Sequence, residues 1–188
     1  MRKLFLLFLP TLLMLTTLFP TACSDDNDES VPEEVKSSIQ GNYNGTCGAV
    51  CMPNYHDTLR INSNATVDAT SITIESLPVA SLIDSILGKG TAEANGIKSA
   101  PLRMGYALYN AKQAYYPMSY DPSPIMLNVE KDGTTHEIDI RFAGKGSDFI
   151  WYYPKRLRID ITVATSRVFL DGEDTKLTFR FPIVLNRK

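Results

Sequence analysis

The side chains best suited to chemistry are few: three cysteines, two histidines and one tryptophan in 188 residues. Cys47 and Cys51 stand as a Cys-x3-Cys pair, a spacing open to a disulfide, to two free thiols or to the start of a metal site. Tetrahedral zinc would need further ligands, and His56 and His136 are the only histidines. In an oxidising compartment a close pair bonds, so a disulfide is the expectation, with so short a loop contributing about 2 kcal/mol. His136 falls on the inward phase near a strand end, where a hydrogen-bonded rim histidine is expected. The chain has no Gly-x-Ser-x-Gly elbow, no His-Glu-x-x-His, no phosphate-cradling Gly-x-x-x-x-Gly-Lys-Ser/Thr loop and no Cys-His nucleophile signature. A hydrolase would rest on two carboxylates brought together by the fold, and no spacing selects a pair. The expectation is a protein that is not an enzyme, with no cofactor and no metal; a hydrolase with a carboxylate site is an alternative.

Aromatic residues give the one hint of a binding surface. Tyr106, Tyr109, Tyr115, Tyr116 and Tyr120 lie in one strand-like stretch, and Phe149, Trp151, Tyr152 and Tyr153 in another. They could form a cavity or platform for sugar rings or apolar ligands, each offering a flat face and a polar handle. The competing account is that strands favour aromatics, and alternation must send some of Trp151, Tyr152 and Tyr153 inward whatever the function.

The third cysteine, Cys23, follows a leader. Arg2 and Lys3 precede an apolar run from Leu4 to Phe19, interrupted by Pro10 and Thr16-Thr17 and too short to span a bilayer comfortably. Pro20-Thr21-Ala22-Cys23 resembles a lipobox, with Pro where Leu is usual. The resemblance implies that residues 1–22 are a signal peptide and that Cys23 becomes the acylated first residue; the alternative is a plain secretory peptide cut after Ala22. The segment after it, Ser24 to Glu34, holds six acids and no base and cannot order itself by burial. Residues 23–36 read as a flexible tether reaching at most ~50 Å. Cys-Ser-Asp-Asp-Asn-Asp-Glu resembles the acidic export signal of Bacteroides-type lipoproteins, which implies a lipid anchor in the outer membrane facing the cell exterior; the alternative is a merely solvating linker. Loss of Arg2 and Lys3 moves the formal net charge from −2 to −4. With six acids in the tether, the remainder is close to neutral and carries no footprint for nucleic acid. The expected partners are the membrane, through the acyl chains, and a small-molecule or glycan ligand.

Residues 37–188 are long enough for one domain with an ordinary core. Short alternating segments predict an all-β domain with one helix, from Leu77 to Leu87, capped by Ser76 and stopped at Gly88. Ile125 to Phe142 predicts a hairpin closing on Asp132-Gly133, with Lys131 opposite Thr134, Val129 opposite His136, Leu127 opposite Ile138 and Ile125 opposite Ile140. In the C-terminal pair, Leu157, Ile159, Ile161 and Val163 share one phase and Val168 and Leu170 the other, which requires a β-bulge between Ala164 and Arg167. A four-residue loop, Asp171 to Asp174, would set Val168 opposite Leu177, and beyond the bulge Val163 meets Phe181, Ile161 meets Ile183 and Ile159 meets Leu185. Further strands are expected at Ile39 to Thr46, Thr58 to Asn62, Thr66 to Glu75, Pro101 to Tyr109, Ala111 to Tyr116 and Asp148 to Tyr153.

About eight antiparallel strands with short turns can close into an up-and-down barrel, with a two-sheet sandwich as the alternative. Gly41-Asn42-Tyr43-Asn44-Gly45 resembles the Gly-x-Tyr-x-Gly opening of lipocalin-like, calycin-type domains in uncharacterised Bacteroides lipoproteins. That resemblance implies a barrel and no assigned activity. In Lys155-Arg156-Leu157-Arg158, alternation points both arginines outward beside an inward Leu157, a solvated strand face that resists edge pairing; the competing reading is a grip on an anionic group. Asp57-Thr58-Leu59 and Asp84-Ser85-Ile86 resemble the O-glycosylation sequon of Bacteroides. The functional expectation is a binding module for a small apolar or glycan ligand, with a structural or protein-interaction module of the envelope as the alternative.

Overall fold

Strands dominate because β-branched and aromatic residues alternate with polar ones through most of the chain. The computed structural model describes residues 30–52, 59–111, 114–144 and 150–188; the leader, Cys23, most of the acidic segment, His56, Thr58 and Phe149 lie outside the described residues. In chain order the strands are β1 (Gly41–Met52), β2 (Leu59–Val67), β3 (Ser71–Pro78), β4 (Ser99–Leu108), β5 (Tyr116–Pro122), β6 (Ile125–Lys131), β7 (Thr134–Phe142), β8 (Ile150–Tyr153), β9 (Arg158–Leu170), β10 (Glu173–Asp174) and β11 (Thr178–Arg187). The ring runs β1-β2-β3-β4-β5-β8-β9, and β11 pairs with both β9 and β1. Eight antiparallel strands thus close into a calycin-like barrel, which leaves the ring no free edge. Its interior is filled by Tyr43, Tyr120, Tyr152, Phe179, Phe181 and aliphatic side chains, all essentially without exposure.

The β6–β7 hairpin stands outside the ring, and its register is the one its Asp-Gly turn dictates: Lys131 pairs with Thr134, Val129 with His136, Leu127 with Ile138 and Ile125 with Ile140. Asp132 and Gly133 both have positive φ, 52° and 79°, as a type I′ turn requires. β9 serves two sheets. Residues 158–164 lie in the ring, and residues 165–170 pair with β7. The junction is the expected bulge: Arg141 faces Arg167 and Phe142 faces Thr165, leaving Ser166 as the extra residue. On the ring side Val163 meets Phe181, Ile161 meets Ile183 and Ile159 meets Leu185.

Several expectations are corrected. The turn after Leu170 is a two-residue Asp171-Gly172, both at positive φ (51° and 85°), so Glu173 faces Leu170 and Asp174 faces Phe169. Val168 therefore accepts from the Thr175 N–H at 2.9 Å and does not oppose Leu177. The chain recovers the ring register by taking an extra residue between β10 and β11, where Lys176 has positive φ and the buried Thr165 Oγ1 accepts the Phe179 N–H at 2.9 Å. Leu157 is not an inward strand residue: Pro154–Arg156 form a 3-10 turn and Leu157, with φ 47°, is exposed at its end. The β2–β3 turn falls at Asp68–Thr70 and not at 63–65, because the Asp68 carboxylate accepts the N–H groups of Thr70 (2.8 Å) and Ser71 (2.6 Å). Those bonds hold Asp68 at a pKa of about 2. Of the expected strand from Ala111 to Tyr116, Ala111, Ala114 and Tyr115 are not in a strand, residues 112 and 113 lie outside the described residues, and β5 begins at Tyr116.

Helix α2 spans Ala80–Leu87, three residues shorter at its start than its periodicity suggests, since Leu77 and Pro78 still pair with β4. It buries Leu82 and Ile83 and ends at Gly88 as expected. Helix α3 (Thr91–Ala94) follows; the Asp84 carboxylate accepts its Ala92 N–H at 2.9 Å. Asn95, just beyond, exchanges two hydrogen bonds with the Glu130 backbone of β6. The acidic segment is not a free tether to its end: α1 (Glu33–Ser38) follows Pro32, and Val31 and Val35 are buried on the core. The two thiols are free. Cys47 and Cys51 are both on β1, and four residues of extended strand put their Cα atoms roughly 13 Å apart, beyond the ~7 Å a disulfide spans.

Candidate functional site

The two aromatic stretches meet in the ring. Tyr106 of β4 faces Tyr120 of β5, while Tyr116 and Pro117 of β5 face Tyr152 and Trp151 of β8. Strand alternation then divides them. Tyr106, Tyr116, Tyr120 and Tyr152 take the inward phase; Tyr109, Tyr115, Trp151 and Tyr153 do not.

The inward set is structural at one barrel end. Tyr152 is fully buried and its hydroxyl lies 2.9 Å from Ser38 Oγ of α1. Tyr43, the aromatic of the Gly-x-Tyr-x-Gly segment, donates to the Ile39 carbonyl at 2.6 Å. Arg187 Nη1 donates to the Ser38 carbonyl at 2.9 Å. Two phenols and a guanidinium thus bind the short helix across the mouth where β1 begins. Burial pushes the Tyr43 phenol well above its ordinary value, with Tyr152 adding to the shift. Tyr106, whose hydroxyl donates to the Asp68 carbonyl at 2.8 Å, is pushed up to about 12 by burial.

The outward set forms a cluster. The Tyr115 and Trp151 rings meet edge to face, with centroids 4.6 Å apart and planes at 78°, and Tyr153 lies 5.9 Å from Tyr115. All three are partly exposed. Tyr109, about half exposed, donates to Ser119 Oγ at 3.1 Å. The eight residues expected as one binding set are therefore a filled interior and an exterior patch.

Other residues with chemical potential have local duties. His136 Nδ1 lies 2.7 Å from Asp171 Oδ2, and Asp171 Oδ1 accepts the Glu137 N–H at 2.9 Å, tying β7 to the β9–β10 turn. These contacts hold the Asp171 carboxyl below its usual range, the His136 bond contributing most. The Cys47 thiol is buried and pushed up to about 11 by desolvation; Cys51 is raised for the same reason. Both stay protonated at neutral pH, which makes them poor nucleophiles. Arg158 forms a fork on Asp160, 2.6 and 3.0 Å, so the basic cluster is partly neutralised. Ser85 is exposed and donates to the Ser81 carbonyl at 2.7 Å within α2. Among the described residues no three His, Cys, Asp or Glu side chains converge as a metal site.

Two surface grooves are polar, and none of the tyrosines lines either. The larger, about 470 Å³, lies over β1–β3 between Asn44, Asn62, Asn64 and Glu75. The smaller, about 290 Å³, lies between Lys89–Ala94 and the β6–β7 turn. Sequence reasoning missed the larger groove. Its trace is an Asn-x-Asn repeated on adjacent strands, at 42/44 and 62/64, whose placement side by side depends on a pairing that becomes visible only in the fold.

Comparison with curated proteins and with solved structures gives no match. A family described as "Domain of unknown function (DUF4840)" matches residues 38–170, from the last residue of α1 to the last of β9, and on that extent the chain belongs to the DUF4840 family.

Proposed function

We propose that this chain is an exported lipoprotein, anchored through Cys23 to the outer membrane and facing the exterior, whose barrel binds a glycan or small apolar ligand on its outer surface and performs no catalysis. The leader and the lipobox-like Pro20-Thr21-Ala22-Cys23 support the anchor; the acidic residues that follow support the address. The observation that carries the binding role is the outward Tyr115–Trp151–Tyr153 cluster, set against an interior already occupied by side chains. Partly exposed aromatic faces suit the apolar faces of sugar rings. The test is a glycan and lipid array probed with protein beginning at Ser30, which retains α1, followed by titration of Trp151 fluorescence. Saturable quenching that Tyr115→Ala and Tyr153→Ala together weaken at least tenfold is expected; an array without hits and an unmoved emission would overturn the binding role. Replacement of Cys23 by Ala should abolish acyl-label incorporation and leave uncleaved precursor, and normal processing without lipid would overturn the anchor.

A second reading, a protein-interaction module, is favoured by one feature. Among the described residues β6 ends the sheet, paired with β7 on one side and met on the other by Asn95 at Glu130, and its Met126 is 53% exposed. Met126→Lys would remove association through that edge and leave Trp151 quenching intact.

A further inference from the structure

We infer that the groove over β1–β3 is a second, independent site, built for a neutral polyhydroxylated ligand such as an oligosaccharide. In the ring β2 and β8 are four strands apart in either direction, so this groove and the aromatic cluster occupy opposite flanks of the barrel.

Two backbone irregularities, a close approach at Gly45 and a bulge in β3, flank a concave place in what would otherwise be a convex wall. Gly45 has no side chain where β1 meets β11: a Cβ there would stand 1.8 Å from the Val184 carbonyl oxygen, so the two backbones approach more closely than any other residue would allow. Directly across from Gly45 lies Ser63, small and only 6% exposed. β3 then gains a residue against β4 between Ile74 and Leu77, and in that bulge the Ser76 N–H turns back to donate to Ser63 Oγ at 3.0 Å. Small residues thus line the deep part of the groove.

Its rim is a set of amides. Asn44 pairs across the strands with Asn64, and Thr46 with Asn62; all four are exposed. Asn64 Nδ2 donates to Glu75 Oε2 at 3.0 Å, which orients both groups. The side chains of Asn44, Asn62 and Thr46 have no hydrogen-bond partner among the described residues. An asparagine amide presents a donor and an acceptor side by side, and a sugar hydroxyl is itself donor and acceptor, so vicinal hydroxyls complement such a rim.

The composition of the lining sets the ligand class. Among the described residues the groove is lined by no Lys, Arg or His to hold an anion, and a single carboxylate, already bonded to Asn64, is too little for a divalent cation. No aromatic or large aliphatic side chain of the described residues lines it, so an apolar ligand would gain little there. The volume, about 470 Å³, is within the ordinary range for small-molecule sites. Paired strands fix the backbones that carry these groups, and the Asn64–Glu75 bond orients two of the side chains, which lowers the ordering cost of binding.

The experiment uses the full chain in detergent micelles, labelled with 15N, and titrates in maltohexaose, cellohexaose or an anionic chondroitin hexasaccharide. A neutral hexasaccharide should shift the side-chain amide signals of Asn44, Asn62 and Asn64. Replacing Asn44 and Asn62 together by Ala should weaken that affinity at least tenfold without changing the thermal midpoint, whereas Trp151→Ala should leave the shifts in place. Silent asparagine amides at saturating neutral sugar would overturn the site, even if Trp151 fluorescence responds and the aromatic platform stands. Tighter binding of the anionic sugar would overturn the neutral assignment.

Discussion

Inside the ring, Tyr152 is wholly buried and its hydroxyl meets Ser38 of α1. One residue earlier, Trp151 leaves the opposite face of the same strand, partly exposed and edge-on to Tyr115. The two differ by one step of a period-2 pattern, yet the first is part of what holds the fold and the second shows part of its ring on the outer wall. Aromatic content by itself therefore says little about binding; the face onto which each ring emerges decides its role.

The sharpest break of that contrast is Tyr152→Ala. Emptying so large an interior site should cost about 3–5 kcal/mol, read by urea denaturation, and a loss below about 1 kcal/mol would show that the ring is not held from within. Alkaline titration probes the same set collectively. The Tyr106 phenol keeps its proton to about pH 12 in the folded state, against 10.0 for an ordinary tyrosine. Below pH 10 both states are protonated and the contribution to stability is constant; between about 10 and 12 only the unfolded chain ionises, so stability must fall across that window. Replacing Tyr106 by Phe should flatten the decline, and an unchanged slope would assign it to other groups. Tyr43→Phe keeps the ring and removes only the bond to the Ile39 carbonyl, for an expected loss of about 1 kcal/mol. Smallest in stability is Trp151→Ala, expected to stay within about 1 kcal/mol while abolishing capture on the saccharide array. A large destabilisation there would erase the distinction between the two faces.

The sequence made strand pairings legible wherever a turn pinned the register and an apolar set confirmed it. Asp132-Gly133 did both, and every pair of the β6–β7 hairpin followed. The same dipeptide occurs at Asp171-Gly172, where a longer loop and a bulge lead to the same ring register; only the backbone reveals that the turn is tight and that the extra residue lies between β10 and β11. Leu157 kept phase with Ile159 but was claimed by the turn after Pro154, because phase continues past a strand end that periodicity does not mark. The Cys47–Cys51 pair was close in sequence, and a strand separates close residues where a turn would have joined them. The Asn44–Asn62 groove was invisible for a different reason, since it arises from the pairing of β1 with β2 and from bulges, and no local pattern encodes either.

The strand that closes the ring has a consequence for how the chain reaches this state. β1 and β9 each need β11, and the pairing of Tyr43 with Arg187 spans nearly the whole folded chain. A chain ending at Leu170, where the family match stops, would leave β1 and β9 with unpaired edges open to aggregation. Final barrel closure therefore waits for the last residues to emerge, and such distant pairings fold on the order of milliseconds to seconds. An unfinished barrel stays pliant until its last strand is in hand, and it becomes rigid only once β11 has docked between β1 and β9.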